Sequence, residues 1–140
     1  MLKVLLVSLD KDSLSGLASG LAKHGDVELS RAESGIKALD MIADAAVDLV
    51  VADESLGDMT GLEFIGKLLS VNPMVNSALV SSLSHQDFHD ASEGLGVLAQ
   101  LPIRPGDEEA EGILQRLKDV KDITAGVDGI TQKWPTSFWQ

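Results

Sequence analysis

Short apolar runs set at regular intervals constrain this chain more than any other feature. Residues 2–7 read Leu-Lys-Val-Leu-Leu-Val, residues 47–52 Val-Asp-Leu-Val-Val-Ala and residues 75–80 Val-Asn-Ser-Ala-Leu-Val. The first reads as a strand buried on both faces, the second is the strongest strand signal and the third is a further strand candidate. Val27–Leu29 is a thinner strand candidate, and Leu95–Leu101 is a fifth, closed by Pro102.

Between these runs the apolar spacing changes to that of helices. Leu14, Leu17, Ala18 and Leu21 form one face, with Asp12 or Ser13 expected to cap its start and Gly25 to end it. Gly16 and Gly20 each weaken that helix by about 1 kcal/mol. Ser34 precedes a second pattern, Ile36, Leu39, Ile42, Ala43 and Ala46. Gly61 opens a third, Leu62, Ile65, Leu68 and Leu69, stopped at Asn72-Pro73. Residues 84–93 fit a short helix. The last pattern carries Ile113, Leu114 and Leu117, with Glu108 and Glu109 near its start, where the helix dipole favours them. Five strand–helix alternations predict an α/β fold: a parallel sheet with helices on both faces. Ligands of such sheets lie beyond the carboxyl ends of the strands, where this sequence delivers Ser8, Asp53, Ser81 and Leu101.

Charge narrows the function further. Twenty-two acidic residues stand against eleven basic ones in 140, for a formal charge of -11. That field repels a phosphate backbone, so direct nucleic-acid binding is not expected. The chain has no cysteine, which excludes disulfides, thiolate metal sites and cysteine nucleophiles. No apolar stretch suffices for a membrane span and no secretory pattern opens the chain. The expectation is a soluble cytoplasmic protein.

The run Asp48-Leu49-Val50-Val51-Ala52-Asp53, followed by Met59-Thr60-Gly61-Leu62, resembles response-regulator receiver domains of two-component signalling. Gly61 follows Asp53 by eight residues, as in that family, and Ala32, Gly35, Ala38 and Leu39 resemble its Ala-x-x-Gly-x-x-Ala-Leu signature. The resemblance covers roughly residues 2–120. It implies a doubly wound, flavodoxin-like five-stranded sheet of order 2-1-3-4-5, a receiver-like domain over residues 1–122 and a separate tail over residues 123–140. It also implies a phosphoryl-accepting role for Asp53, a switch-hydroxyl role for Ser81 (with Ser82 nearly equivalent) and a Mg2+ ligand role for the Ser55 carbonyl.

Other parts of the family's chemistry are missing. Its acidic pair after the first strand falls on Ser8 and Leu9, so Asp10 is the nearest carboxylate. Its lysine before Pro102 is Leu101, its aromatic switch residue falls near Leu98, and Arg104 is the nearest cation in sequence. A carboxylate accepting a phosphoryl group needs positive charge on the transferring oxygens. The expectation is therefore incomplete chemistry at Asp53, with at most a weak Mg2+ site made by Asp10, Asp53 and Ser55. The resemblance implies a signalling rather than an enzymatic role. Its partners would be a histidine kinase, a phosphotransfer protein or an output protein, with a homodimer through residues 84–120 or the tail also open. The alternative is an acidic adaptor that works without phosphorylation. A cis Leu101–Pro102 bond is expected by the same analogy.

Two further constellations carry little. His85 and His89 share a helical spacing but form no His-Glu-x-x-His motif. Neither Ser81 nor Ser82 sits in a Gly-x-Ser-x-Gly elbow. From about Thr124, Gly126, Gly129 and Pro135 are expected to interrupt any helix. Trp134, Phe138 and Trp139 crowd the end, which leaves open a disordered end, a tail packed on the domain or a tail that docks on a partner or second copy.

Overall fold

The computed structural model describes residues 2–130, with side chains over residues 2–120. The elements are β1 (Leu2–Val7), α1 (Ser15–Ala22), β2 (Val27–Ala32), α2 (Gly35–Asp44), β3 (Leu49–Ala52), α3 (Gly61–Val71), β4 (Asn76–Val80), α4 (His85–Ala91), β5 (Ala99–Leu101) and α5 (Asp107–Ile130). All strand pairs are parallel and the sheet order is β2-β1-β3-β4-β5. The expected doubly wound architecture is therefore present. Among the described residues no helix is long and apolar enough to cross a membrane.

Period-two alternation divides the core into two layers. Val4, Leu6, Leu49, Val51, Ala78 and Val80 face one layer, which α1 and α5 close with Leu17, Leu21, Ile113 and Leu117. Leu5, Val7, Val50, Ala52 and Leu79 face the other, closed by Ile42, Phe64, Ile65 and Phe88 from α2, α3 and α4. Each fully buried large side chain contributes about 1.5–3 kcal/mol relative to exposure. Two sheltered faces explain why β1 and β3 read as mostly apolar runs.

The termini of the elements differ from expectation in several places. Neither Asp12 nor Ser13 caps α1. Its cap residue is Leu14, without a side-chain bond, and Ser15 and Ser13 close turns onto Asp12 and Asp10 instead. The helix ends at Ala22 with Lys23 still in right-handed geometry, so Gly25 does not stop it. Gly20 has a packing role: an added Cβ would lie 2.7 Å from the Ala110 Cβ, so glycine lets α1 approach α5. Strand β2 runs on to Ala32, paired with Val7, where the sequence suggests an end near Leu29. Strand β5 is shorter than the apolar run 95–101, because the chain turns through positive φ at Gly94 and Gly96 before joining β4.

Two corrections fall in the last segment. The Leu101–Pro102 bond is trans, since no cis bond occurs among the described residues. Trans is the lower-energy isomer by about 0.5–1 kcal/mol, and the exit from β5 is made instead at Arg104, with φ of 54°. Helix α5 continues through Gly126 and Gly129 to Ile130. A glycine costs a helix about 1 kcal/mol but retains its N–H donor, unlike proline. Residues 131–140, with the aromatic tail, lie outside the described residues.

Candidate functional site

The Asp53 N–H donates to the Val7 carbonyl at 3.0 Å, extending the β3–β1 ladder by one residue. This sets the half-buried Asp53 carboxylate at the carboxyl edge of the sheet, beside the loop that leaves β1. That edge lies where the connections from β1 and β3 diverge, the usual ligand crevice of a doubly wound sheet.

Both carboxylate oxygens are engaged. Ser13 Oγ lies 2.6 Å from Asp53 Oδ2, and the Glu54 N–H donates to Oδ1 at 2.8 Å. Ser13 Oγ also lies 2.9 Å from the Asp10 carbonyl, but a hydroxyl has one proton and the ionised carboxylate is the stronger acceptor. Sequence spacing gave no sign of Ser13, which stands 40 positions from Asp53.

The other candidates are arranged around this point without converging on it. Asp10 turns its carboxylate into its own loop and accepts from the Asp12 N–H at 2.9 Å. Ser55 is exposed and pairs with Thr60 in an isolated antiparallel bridge, next to bonds from Leu56 N–H to the Met59 carbonyl and from Gly61 N–H to the Glu54 carbonyl. Among the described residues no group of three or more His, Asp or Glu side chains is placed to hold a metal ion. Asp10 and Asp53 accept from different donors, the Asp12 N–H and the Ser13 hydroxyl.

The glycine at position 61 is set by the end of β3 itself. An added Cβ would come within 2.4 Å of the Asp53 carbonyl oxygen, so α3 starts closer to β3 than any side chain permits. Thr60 then caps α3 in a reciprocal box with Glu63.

At the end of β4, Ser81 is buried. Its N–H donates to the Leu101 carbonyl, and its hydroxyl oxygen accepts from the Leu83 N–H at 3.2 Å. The next residue makes the stronger link. Ser82 donates both its backbone N–H and its hydroxyl to the Glu54 carboxylate, the hydroxyl at 2.9 Å from each oxygen. Glu54 thereby clips the β3–α3 loop to the β4–α4 loop, over an apolar cavity of about 230 Å3 lined by Leu62, Leu79 and Phe88.

Leu101, the position where the resemblance would place a lysine, belongs to the core layer under α5 and is 4% exposed. Arg104 is exposed on the turn beyond it. On the far side of the site, Asp58 accepts from the Gly35 and Ile36 N–H groups, each at 3.0 Å. The Ile36 and Gly35 amides hold its carboxyl below the ordinary carboxylate range. This ties the β3–α3 loop to the N-terminus of α2, and Met59 packs against Gly35 alongside.

No protein-family model matches the chain, and no curated relative does. Solved structures do. The signal receiver domain of an HD domain-containing protein from Pseudomonas fluorescens is 21% identical, with a TM-score of 0.75 over 89% of this chain and 92% of its own. A CheY-like response-regulator receiver domain from Methanospirillum hungatei is also 21% identical, with a TM-score of 0.76 over 87% and 98%. The chemotaxis response regulator CheY4 of Vibrio cholerae is 23% identical, with a TM-score of 0.74 over 84% and 98%. At these identities the likeness establishes the fold.

Proposed function

We propose, for a chain with the response-regulator receiver fold, that it is a signal-transduction module acting through protein–protein contact, with Asp53 as its candidate phosphoacceptor and incomplete chemistry around it. The observation that carries this reading is the placement of Asp53 at the carboxyl end of the central strand, half-buried, one residue beyond the β1–β3 ladder. A carboxylate there is accessible to a donor and supported by the Glu54 N–H. Ser81 is the candidate switch hydroxyl. The partner class is a histidine kinase, a phosphotransfer protein or an output protein.

The chemistry available is limited by charge. Transfer to a carboxylate brings more negative charge to a site that already holds Asp53 and Glu54, and positive groups must offset it. Leu101 supplies none. A weak magnesium site would draw on Asp10, Asp53 and the Ser55 carbonyl, and would supply part of the missing charge. Each absent clamp costs about 3 kcal/mol, or roughly two orders of magnitude in rate.

A second reading is favoured by the Glu54–Ser82 link. Glu54 already supplies an anionic acceptor to the β4–α4 loop, and Leu101 is core rather than a phosphate partner. A receiver fold so arranged would recognise its partner without phosphorylation, as an acidic adaptor. Intact-mass measurement after incubation with a small-molecule phosphodonor, with and without magnesium, separates the readings. The phosphoacceptor reading expects a magnesium-dependent gain of one phosphoryl group that Asp53→Asn abolishes. Absence of the adduct, under conditions that fully modify an ordinary receiver, selects the adaptor.

A further inference from the structure

Beside the acceptor loop lies a second cavity, of about 260 Å3, lined by Ser8, Lys11, Arg31, Ala32, Glu33 and Lys37. It opens between the β1–α1 and β2–α2 connections, and its charge runs against that of the molecule. Three of the chain's eleven basic residues line it, with one carboxylate. Elsewhere Lys23 and Lys118 pair with Asp107 and Asp26. Among the described residues, none of Lys11, Arg31 and Lys37 has a carboxylate within 4.0 Å, Glu33 included.

The wall also contains an unused polar group. Ser8 is 3% exposed, and its hydroxyl is the buried side-chain oxygen without a hydrogen-bond partner among the described residues. A buried hydroxyl left unpaired is costly, and native structures seldom keep one without a use. Arg31 is positioned as well as charged. One guanidinium nitrogen donates to the Lys11 carbonyl at 3.0 Å, which ties the β1–α1 loop to β2 and leaves the remaining N–H donors of the fork for an acceptor.

We propose that this cavity binds a phosphate-type dianion, carried by a small molecule. Its local balance of three cations to one carboxylate leaves two positive charges, matching a phosphate monoester or hydrogen phosphate. Arg31 offers planar paired donors, Lys11 and Lys37 offer point charges, and Ser8 offers a hydroxyl. The field of the other carboxylates opposes binding but is screened beyond about 8 Å at physiological ionic strength. This proposal does not rest on the Asp53 reading.

The test is a titration of the full chain, followed by amide resonances. Inorganic phosphate and ribose 5-phosphate serve as probes, with sodium chloride at matched ionic strength as the reference. Saturable shifts at Ser8, Lys11, Arg31 and Lys37 are expected from the phosphates and not from chloride. Arg31→Gln and Lys37→Gln, both at exposed positions, are expected to weaken binding tenfold or more each, while Asp53→Asn, which removes a repelling charge, does not weaken it. Tighter binding of the ester would assign an esterified ligand, and tighter binding of inorganic phosphate a free one. Linear shifts that chloride reproduces, or saturable shifts that neither Gln variant weakens, would overturn the proposal. Loss of binding in Asp53→Asn would relocate the anion to the acceptor carboxylate and overturn it equally.

Discussion

The Ser13 hydroxyl sits 2.6 Å from Oδ2 of Asp53, so the oxygen that would attack a phosphodonor already accepts a hydrogen bond. A bond to a charged group is worth about 1.5–3 kcal/mol. Ser13→Ala is expected to raise the initial rate of Asp53 modification by a small-molecule phosphodonor, up to about tenfold for 1.4 kcal/mol of ground-state stabilisation removed. A mass-spectrometric time course reads this. An unchanged or slower rate would mean that Ser13 positions the carboxylate rather than masking it.

The link from Ser82 to Glu54 predicts a local change in dynamics. Glu54→Ala removes the acceptor for both Ser82 donors, and the β4–α4 loop should open more often. Hydrogen exchange at the Ser82 amide is expected to quicken by about tenfold or more, as loss of about 1.4 kcal/mol of local stability implies. Glu54→Gln keeps one carbonyl acceptor and should fall between the two. Equal protection in all three proteins would show that the loop is held by other contacts.

Asp58 gives a prediction about pH. Its two amide donors, Ile36 first and Gly35 second, keep the folded carboxyl below its ordinary value of 3.8. The unfolded chain therefore takes up this proton first as the pH falls. The stabilisation is complete above the unfolded value and is lost as pH drops through the lower folded one. Asp58→Asn should lower the urea midpoint at neutral pH, with the gap to the native protein closing under acid. A gap that is constant from neutral pH to below 3.8 would remove the charge argument.

Gly61→Ala tests how closely α3 is packed against the end of β3. The new methyl would meet the Asp53 carbonyl oxygen at 2.4 Å, a backbone atom that cannot yield cheaply. The expected loss is about 1–3 kcal/mol, the usual range for overpacking. Chemical denaturation measures it, and the Asp53 and Glu54 amide resonances should shift together. Gly66, where an added Cβ meets nothing within 4 Å, is the control site.

Placing a lysine at position 101 should not create a phosphate partner. Leu101 lies in the layer beneath α5, and removing a buried leucine side chain typically costs about 2–5 kcal/mol. Leu101→Lys adds the desolvation of an ammonium group to that loss. A lower denaturation midpoint with no gain in phosphodonor reactivity is expected. A stable protein with faster modification would mean that the lysine side chain reaches the site after all.

Much of the fold was legible because both layers of the core are written in local periodicity. Leu5 and Val7 alternate with Val4 and Leu6, and the same alternation recurs at Leu49–Ala52. Element ends were read less well. The cap expected of Ser13 is absent because that hydroxyl has a partner forty residues away. The expected stop at Gly126 and Gly129 is absent from α5 because glycine weakens a helix without removing a donor. At the site, Asp53 and Ser81 were placed at their strand ends by counting residues. Their neighbours Ser13, Glu54 and Asp58 could not be assigned partners in the same way.

Local periodicity along the chain marks which segments are strands, which are helices and which residues reach the carboxyl edge of the sheet. Those properties follow from backbone geometry repeated every two or 3.6 residues. The partner of each polar residue at that edge depends on how the folded loops meet. Ser13 meets Asp53, Ser82 meets Glu54 and Asp58 meets the start of α2 only because the order β2-β1-β3-β4-β5 brings their loops together. Hydrogen bonds reach only about 3 Å and depend on direction, so a partner across the sheet leaves no periodic trace in the chain.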